Sequence, residues 1–238
     1  LRYLRINILR SLLKMDFNLE DHGFTIVKNF LSEDDISKIV YTSSQLEYPF
    51  TPLSPKKFSN VSLDTRKIVL KASALRGKNY KVFMEKVFHK LAFEGAHEVY
   101  HQDFYYRQGL NIPNSEYLQS FFALHDLDCT PINVFIGSHK KGLQPHRLVL
   151  ERDGNAKYSI SKDILKDFSQ DFYPVHLKKG DGIFFDYSLI HGSGSNSSPF
   201  DQSRLIIQLC SKKLPEITHG SDRKLYEKSV LKSMYKLK

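Results

Sequence analysis

Apolar positions recur along this chain with two different periods, and the change of period divides it. In "GFTIVKNF" (23–30) every second residue is apolar over part of the run, which predicts a strand. "LSEDDISKIVYTSSQL" follows, with Ser32 placed to cap a helix and Asp35 three residues on to reach back, so a helix is expected there. Residues 46–66 hold Pro49, Pro52 and Pro55 among Ser and Asn and read as a loop. In "NYKVFMEKVFHKL" the residues Tyr80, Phe83, Met84, Val87, Phe88 and Leu91 recur at three- and four-residue steps, and this spacing predicts a helix.

From Val99 to Cys210 the pattern shortens to runs of β-branched and aromatic residues separated by Gly, Asn and Pro. "YLQSFFALHDL", "PINVFIG", "YPVHLKKG", "DGIFFDYSL" and "SRLIIQLC" all read as strands, with one helical interruption near "SKDILKDF". Helical spacing returns in "SDRKLYEKSVLKSMYKLK", where Tyr226, Val230, Met234 and Leu237 share a face, and "LRYLRINILRSLLK" at the other end reads as an amphipathic helix. Many short strands with few helices predict a mainly β fold with flanking helices, a sandwich or barrel.

With 41% hydrophobic residues the 238-residue chain can bury a real core in one domain. No apolar run reaches the roughly 18 residues that cross a bilayer, and Arg5 and Arg10 interrupt the first stretch too often for a secretory signal. The net charge of +9 lies at the ends: residues 1–14 hold four Lys/Arg and no acid, and residues 212–238 hold eight against three acids. A neutral middle gives no reason to expect a nucleic-acid partner, and the ends read as solvated helix faces. Cys129 and Cys210 have no CxxC spacing; both read as small buried hydrophobes of a protein in a reducing compartment, the cytoplasm.

The chemistry begins in "VYHQDFYY" (99–106). On a strand, residues two apart share a face, so His101 and Asp103 would project together. A further histidine would complete two imidazoles and one carboxylate, a facial set that holds Fe(II) with positions left open. Downstream, in "KKGDGIFFDYSLIHGSGSNSSPFDQSRLIIQL", a Gly-Asp turn opens an apolar strand, His191 stands just past its end, and Arg204 begins the next strand. The rigid fork of a guanidinium suits the far carboxylate of a dicarboxylic acid whose 2-oxo-acid end chelates iron. His125 and Asp126 are adjacent and would face opposite ways on a strand, and His139 reads as a structural hydrogen-bonding residue of its turn. Tyr105 shares the face of the pair and is a candidate to touch substrate.

These pieces together resemble the phytanoyl-CoA dioxygenase family of Fe(II)- and 2-oxoglutarate-dependent oxygenases. "HQDF" at 101, "INVFIGSHKKG" at 132, "GDGIFFDYSLIHGSGSN" at 180 and the arginine at 204 stand in the family's order, and "GFTIVKNFLSEDDISKI" is similar to its usual opening. The chain departs from the pattern at Cys129 and Thr130, at Ile136, at Phe104, and in a loop before Arg204 about two residues longer than usual. The resemblance implies a double-stranded β-helix, a cupin-like jelly roll, with its core at about 97–211, a helical part at about 1–96 and a C-terminal helix at about 221–238. It implies iron on His101, Asp103 and His191, and 2-oxoglutarate anchored by Arg204 and Ser193 with Phe121 lining its pocket. It further implies hydroxylation of a small-molecule or acyl (CoA) substrate by O₂, with release of succinate and CO₂. Relatives that halogenate have a small residue where this chain has Asp103. A jelly roll that binds a ligand or partner without turnover is the alternative. Residues 46–75 and 104–117 are expected to face substrate as a lid.

Overall fold

The computed structural model describes residues 16–44, 57–58, 64–93, 97–150 and 156–214. Its main sheet has six antiparallel strands in the order β1 (Phe24–Val27), β10 (Gly182–Asp186), β5 (Tyr117–Ala123), β12 (Gln202–Cys210), β3 (Lys81–Lys90) and β2 (Lys57–Phe58). A second sheet orders β4 (Glu98–His101), β11 (His191–Ser193), β6 (Ile132–Phe135) and β9 (Phe172–Val175), and β7 (His146–Leu150) pairs with β8 (Ala156–Ile160) as a hairpin. From β3 to β6 and again from β9 to β12 successive strands alternate between the two main sheets, which close over a common core as the jelly roll that the family resemblance implies.

Period-two patterning explains both layers of that core. Along β12, Leu205, Ile207 and Leu209 face outward and pack with Phe122 and Phe184 against two helices, α1 (Glu33–Ser44) and α2 (Arg66–Arg76), through Ile36, Ile39, Ile68 and Ala72. The alternate residue Ile206 faces inward, with Phe88, Phe121 and Phe185, onto Ile132, Val134 and Val175 of the second sheet. All nine residues of β12 are buried, because it has helices on one side and the barrel interior on the other. Helix α1 starts as its sequence suggests: Asp35 N–H donates to Ser32 Oγ at 3.1 Å, and Ser32 N–H donates back to Asp35 Oδ2 at 2.9 Å.

Four expectations change. The segment 81–90 is a strand, not a helix: Leu205 pairs with Val87, Gln208 with Met84 and Leu209 with Val82, so Phe83 is an extra residue bulged out of the ladder. The bulge separates the outward-facing Val82 and Val87 by five positions, and with both faces of the strand carrying apolar groups the result imitates helical spacing. Consequently the part before residue 97 is not simply helical, since β1, β2 and β3 complete the main sheet. Cys129 is exposed in the connection from β5 to β6, whereas Cys210 is buried as expected; both are free thiols. Helix α2, assigned in part to a lid, instead lies against the outer face of the main sheet. A short helix at Lys162–Lys166, α3, stands where "SKDILKDF" suggested. The amphipathic ends and the C-terminal helix lie outside the described residues. Among the described residues, no helix is long and apolar enough to cross a membrane.

The "KKGDG" turn ties β1 and the start of α1 to β10. Gly180 adopts φ +87°, donates its N–H to Ala123 O at 2.9 Å, and accepts at its carbonyl from Phe30 N–H (2.8 Å) and Leu31 N–H (2.9 Å). The buried carboxylate of Asp181 accepts from Lys28 Nζ (2.8 Å), Asn29 N–H (3.0 Å) and Lys178 N–H (3.0 Å). A Cβ at position 180 would come within 2.8 Å of Leu31 O. Left-handed backbone and backbone contact together forbid a side chain there. Gly180→Ala is therefore expected to destabilise the fold by about 2 kcal/mol, measured as a lower urea midpoint at unchanged m-value.

Candidate active site

Strands β4 and β11 bring the two histidines together as direct cross-strand partners, His101 opposite His191, with ring centroids 4.4 Å apart. Strand β4 ends at His101, so Asp103 is not a strand residue as the alternation suggested. Gln102 keeps an extended backbone (φ −119°, ψ 126°), and Asp103 opens a 3-10 helix, Asp103–Leu110. The extended step at Gln102 preserves the same-side relation across that boundary. Asp103 Oδ1 lies 3.6 Å from His101 Nε2 and Oδ2 lies 3.7 Å from His191 Nε2. One ligand atom from each of the three residues falls within 4.8 Å of the others.

Hydrogen bonds fix what these atoms offer. His101 Nδ1 sits 2.7 Å from Val99 O and His191 Nδ1 sits 3.0 Å from Leu189 O. A carbonyl only accepts, so each Nδ1 carries a proton, and in the neutral ring each Nε2 turns a lone pair toward Asp103. Asp103 Oδ2 is buried without a hydrogen-bond partner. Two imidazole lone pairs and an unsatisfied carboxylate oxygen converging on one point suit a divalent cation.

The electrostatics agree. Burial pushes the Asp103 carboxyl up, but the His101 hydrogen bond and the charges of both imidazoles outweigh it and hold the group at about 2. Burial, helped by the charge of His101, pushes His191 down to about 4. At His101 burial acts downward, yet the hydrogen bond and charge of Asp103 and the Val99 carbonyl bring the group above its ordinary value. At neutral pH Asp103 is ionised and His191 neutral.

Gln102, between the two, is fully buried and was not singled out in the sequence. Its Nε2 donates to Ser188 O (2.6 Å) and Gly142 O (3.0 Å), its Oε1 accepts from Gln144 N–H (2.7 Å), and its own N–H donates to His146 Nε2 (3.1 Å). His146 in turn stacks on Tyr105 at 4.0 Å, and burial lowers its pKa to about 4, so it accepts as a neutral ring. Tyr105 is thus occupied in this packing; Tyr106 is the tyrosine whose ring lies 6.2 Å from that of His101. Only the apolar context of "HQDF" hinted that the middle residue is internal. Asp186 pins the turn into β11 by accepting from Arg76 Nη2 (2.6 Å), Asn114 Nδ2 (2.8 Å) and Ser188 N–H (2.8 Å).

The three residues form one wall of a cavity of about 80 Å³ that Arg204, Ser193, Phe121 and Phe88 also line. Arg204 comes from the inward face of β12, is 4% exposed, and lies over the Phe88 ring at 5.5 Å. Among the described residues no carboxylate makes an ion pair with it, and although burial lowers its pKa to about 10, it stays charged at neutral pH. A buried guanidinium in a cavity calls for an anion. Ser193, two residues past His191 on the same face, accepts from Lys90 Nζ at 2.8 Å; Lys90 also donates to Gly194 O. The Phe121 ring meets Phe185 edge-on at 4.9 Å and lies 6.0 Å from His191. All six residues singled out by the sequence therefore meet around one cavity. His139 is elsewhere, its Nε2 3.0 Å from Glu20 O, and His125 accepts from Ser203 N–H at 3.2 Å. Gln119 and Glu98, not noticed in the sequence, also line the cavity.

Residues 52–205 match the phytanoyl-CoA dioxygenase (PhyH) family, most of the chain and all of the cavity wall except Ile206. The chain belongs to this family. Phytanoyl-CoA dioxygenases are non-haem Fe(II)- and 2-oxoglutarate-dependent oxygenases, and this family member is an enzyme of that kind. It is similar to the peroxisomal phytanoyl-CoA dioxygenase of Bos taurus, at 25% identity covering 83% of this chain and 67% of the relative. Among solved structures it is similar to EvdO2 from Micromonospora carbonacea var. aurantiaca complexed with 2-oxoglutarate (TM-score 0.67, 14% identity, 87% of this chain and 93% of that one). EctD from S. alaskensis, with 2-oxoglutarate and 5-hydroxyectoine, gives a TM-score of 0.63 at 16% identity over 83% and 76% of the two chains. At these identities the two structures speak for a shared fold.

Proton and metal compete at this cluster in a definite direction. A proton on His101 Nε2 occupies the lone pair a cation needs, and the raised pKa keeps that proton to higher pH than an ordinary imidazole would. Divalent-metal affinity is expected to fall on acidification through neutrality, by about tenfold per pH unit once below the His101 pKa, in metal titrations of the metal-free protein between pH 8 and pH 6.

Proposed function

We propose that His101, Asp103 and His191 are the iron ligands of this oxygenase, that Arg204 and Ser193 hold the far carboxylate of 2-oxoglutarate, and that Phe121 lines the cosubstrate's chain. The observation that supports this most directly is the convergence of two Nε2 atoms and a partnerless Asp103 Oδ2 in one cavity with a buried Arg204 that no carboxylate among the described residues ion-pairs. Bound Fe(II) supplies the activation of O₂, with 2-oxoglutarate consumed to succinate and CO₂ and substrate oxidised. The chain's own residues orient and protect. The Val99 and Leu189 carbonyls fix both imidazoles in the metal-binding tautomer, and Gln102 holds the ligand-bearing turn against residues 142–146. Phe121, Phe185 and Phe88 give the cavity its apolar walls, which strengthens the charge interactions at Arg204.

Hydroxylation is the outcome we assign, because Asp103 stands where halogenating relatives have a small residue. The substrate is a small molecule or an acyl (CoA) compound. Relatives span that range: the bovine protein is named for phytanoyl-CoA, and the EctD structure holds 5-hydroxyectoine. Two free thiols accord with a reducing compartment, and we place the enzyme in the cytoplasm.

Anaerobic titration of the metal-free protein with Fe(II) and then 2-oxoglutarate tests the assignment. A weak visible charge-transfer band is expected in the wild type and not in His191→Ala. Arg204→Met is expected to bind metal normally and 2-oxoglutarate about a hundredfold more weakly. Asp103→Ala should show no 2-oxoglutarate turnover. A folded wild-type protein without the band would favour a jelly roll that binds a ligand without turnover.

A further inference from the structure

Between β4 and β11 the ladder skips a residue. His191 pairs with His101 and Ser193 with Glu98, so two residues of β11 span three of β4. On a regular strand residues three apart face opposite sides. The bulge restores the phase, and Glu98 joins His101 on the interior face while Tyr100 between them turns outward to Phe135, ring centroids 5.3 Å apart. A Cβ on Gly192 would lie 2.8 Å from Glu98 O, so glycine is what lets the strands approach this closely.

The bulge thereby places a carboxylate in the wall of a cavity assigned above to a dicarboxylic acid, close enough to Arg204 to act on its charge. Left to itself, that carboxylate would repel the cosubstrate and compete for the guanidinium. Lys157 of β8, which does not line the cavity, holds its Nζ 3.2 Å from Glu98 Oε1. Their side chains are only 16% and 23% exposed, so solvent screens the pair weakly. The hairpin that carries Lys157 also donates Ser159 Oγ to Tyr100 O at 3.4 Å, which fixes it against β4 at the bulge.

We propose that Lys157 sets the affinity of the cosubstrate pocket by neutralising Glu98 and drawing its carboxylate away from Arg204. Lys157 is a positioning residue in this role: it acts on 2-oxoglutarate through Glu98. The inference rests on the assignment of Arg204 to the cosubstrate.

The test is 2-oxoglutarate titration of the Fe(II)-loaded protein under anaerobic conditions, followed by the charge-transfer band, with thermal melting of each variant to establish folding. Lys157→Met is expected to raise the apparent Kd about tenfold, and Lys157→Arg to keep it near the wild-type value. Glu98→Gln is expected to bind as tightly as wild type or more tightly, and the double variant Glu98→Gln/Lys157→Met to recover what Lys157→Met loses. An unchanged Kd in Lys157→Met overturns the proposal, as does a loss that Glu98→Gln fails to restore, which would make Lys157 a structural residue of the hairpin. If Lys157→Met does not fold, weaker binding in Glu98→Gln alone overturns it. A wild type without the band removes the cosubstrate assignment itself, an outcome distinct from a wild-type band that Lys157→Met leaves unmoved.

Discussion

Strand β12 is buried along its whole length, and the rest of the molecule is arranged around that fact. A strand with no exposed face must be covered twice, and the two covers differ in kind. Its outward residues Leu205, Ile207 and Leu209 are closed by helices in a hydrophobic layer, whereas its inward residues look into the barrel, where Arg204, Ile206 and Gln208 alternate polar and apolar. Central position in the sheet, between β5 and β3, makes this strand the least able to shift register without exposing its apolar residues. Arg204 is accordingly held more firmly than its loop-adjacent place in the sequence would suggest.

The opposite wall obeys a different constraint. Strands β4 and β11 are short, and what they fix is orientation: two histidines paired across a ladder, each with one ring nitrogen tied to a carbonyl two residues back. Little conformational freedom is left for the cluster to lose when a cation enters. Positive charge on β12 and negative charge on Asp103 line the same cavity without a direct salt bridge.

Most of the strands were legible in the sequence for local reasons, and the six residues that the family resemblance implied line one cavity. Alternation marked β1, short runs of β-branched and aromatic residues marked β5, β6 and β10, and the Gly-Asp turn before β10 announced a tight connection that the structure makes through Gly180 and Asp181. What stayed hidden depended on the ladder. The bulge at Phe83 broke the period of β3 and turned a strand into an apparent helix, and the bulge in β4 moved Glu98 from the outer to the inner face. Both are properties of a strand pair, and neither can be identified from one strand read by itself. Gln102 was hidden for a related reason: its partners, at Ser188, Gly142 and Gln144, are distant in sequence and are mostly backbone atoms.

Gln102 also bears on how this scaffold can diversify. Its side chain clamps the 142–144 segment from a position between two adjacent site residues, so the length of that segment and the spacing of His101 and Asp103 are one mechanical variable. An insertion there would be felt at both neighbours of Gln102 before it reached any substrate. New specificities on this frame would have to be written in segments that do not answer to Gln102, such as the far end of the 3-10 helix. The clamp therefore separates the surfaces that evolution can vary freely from the one that it must leave alone.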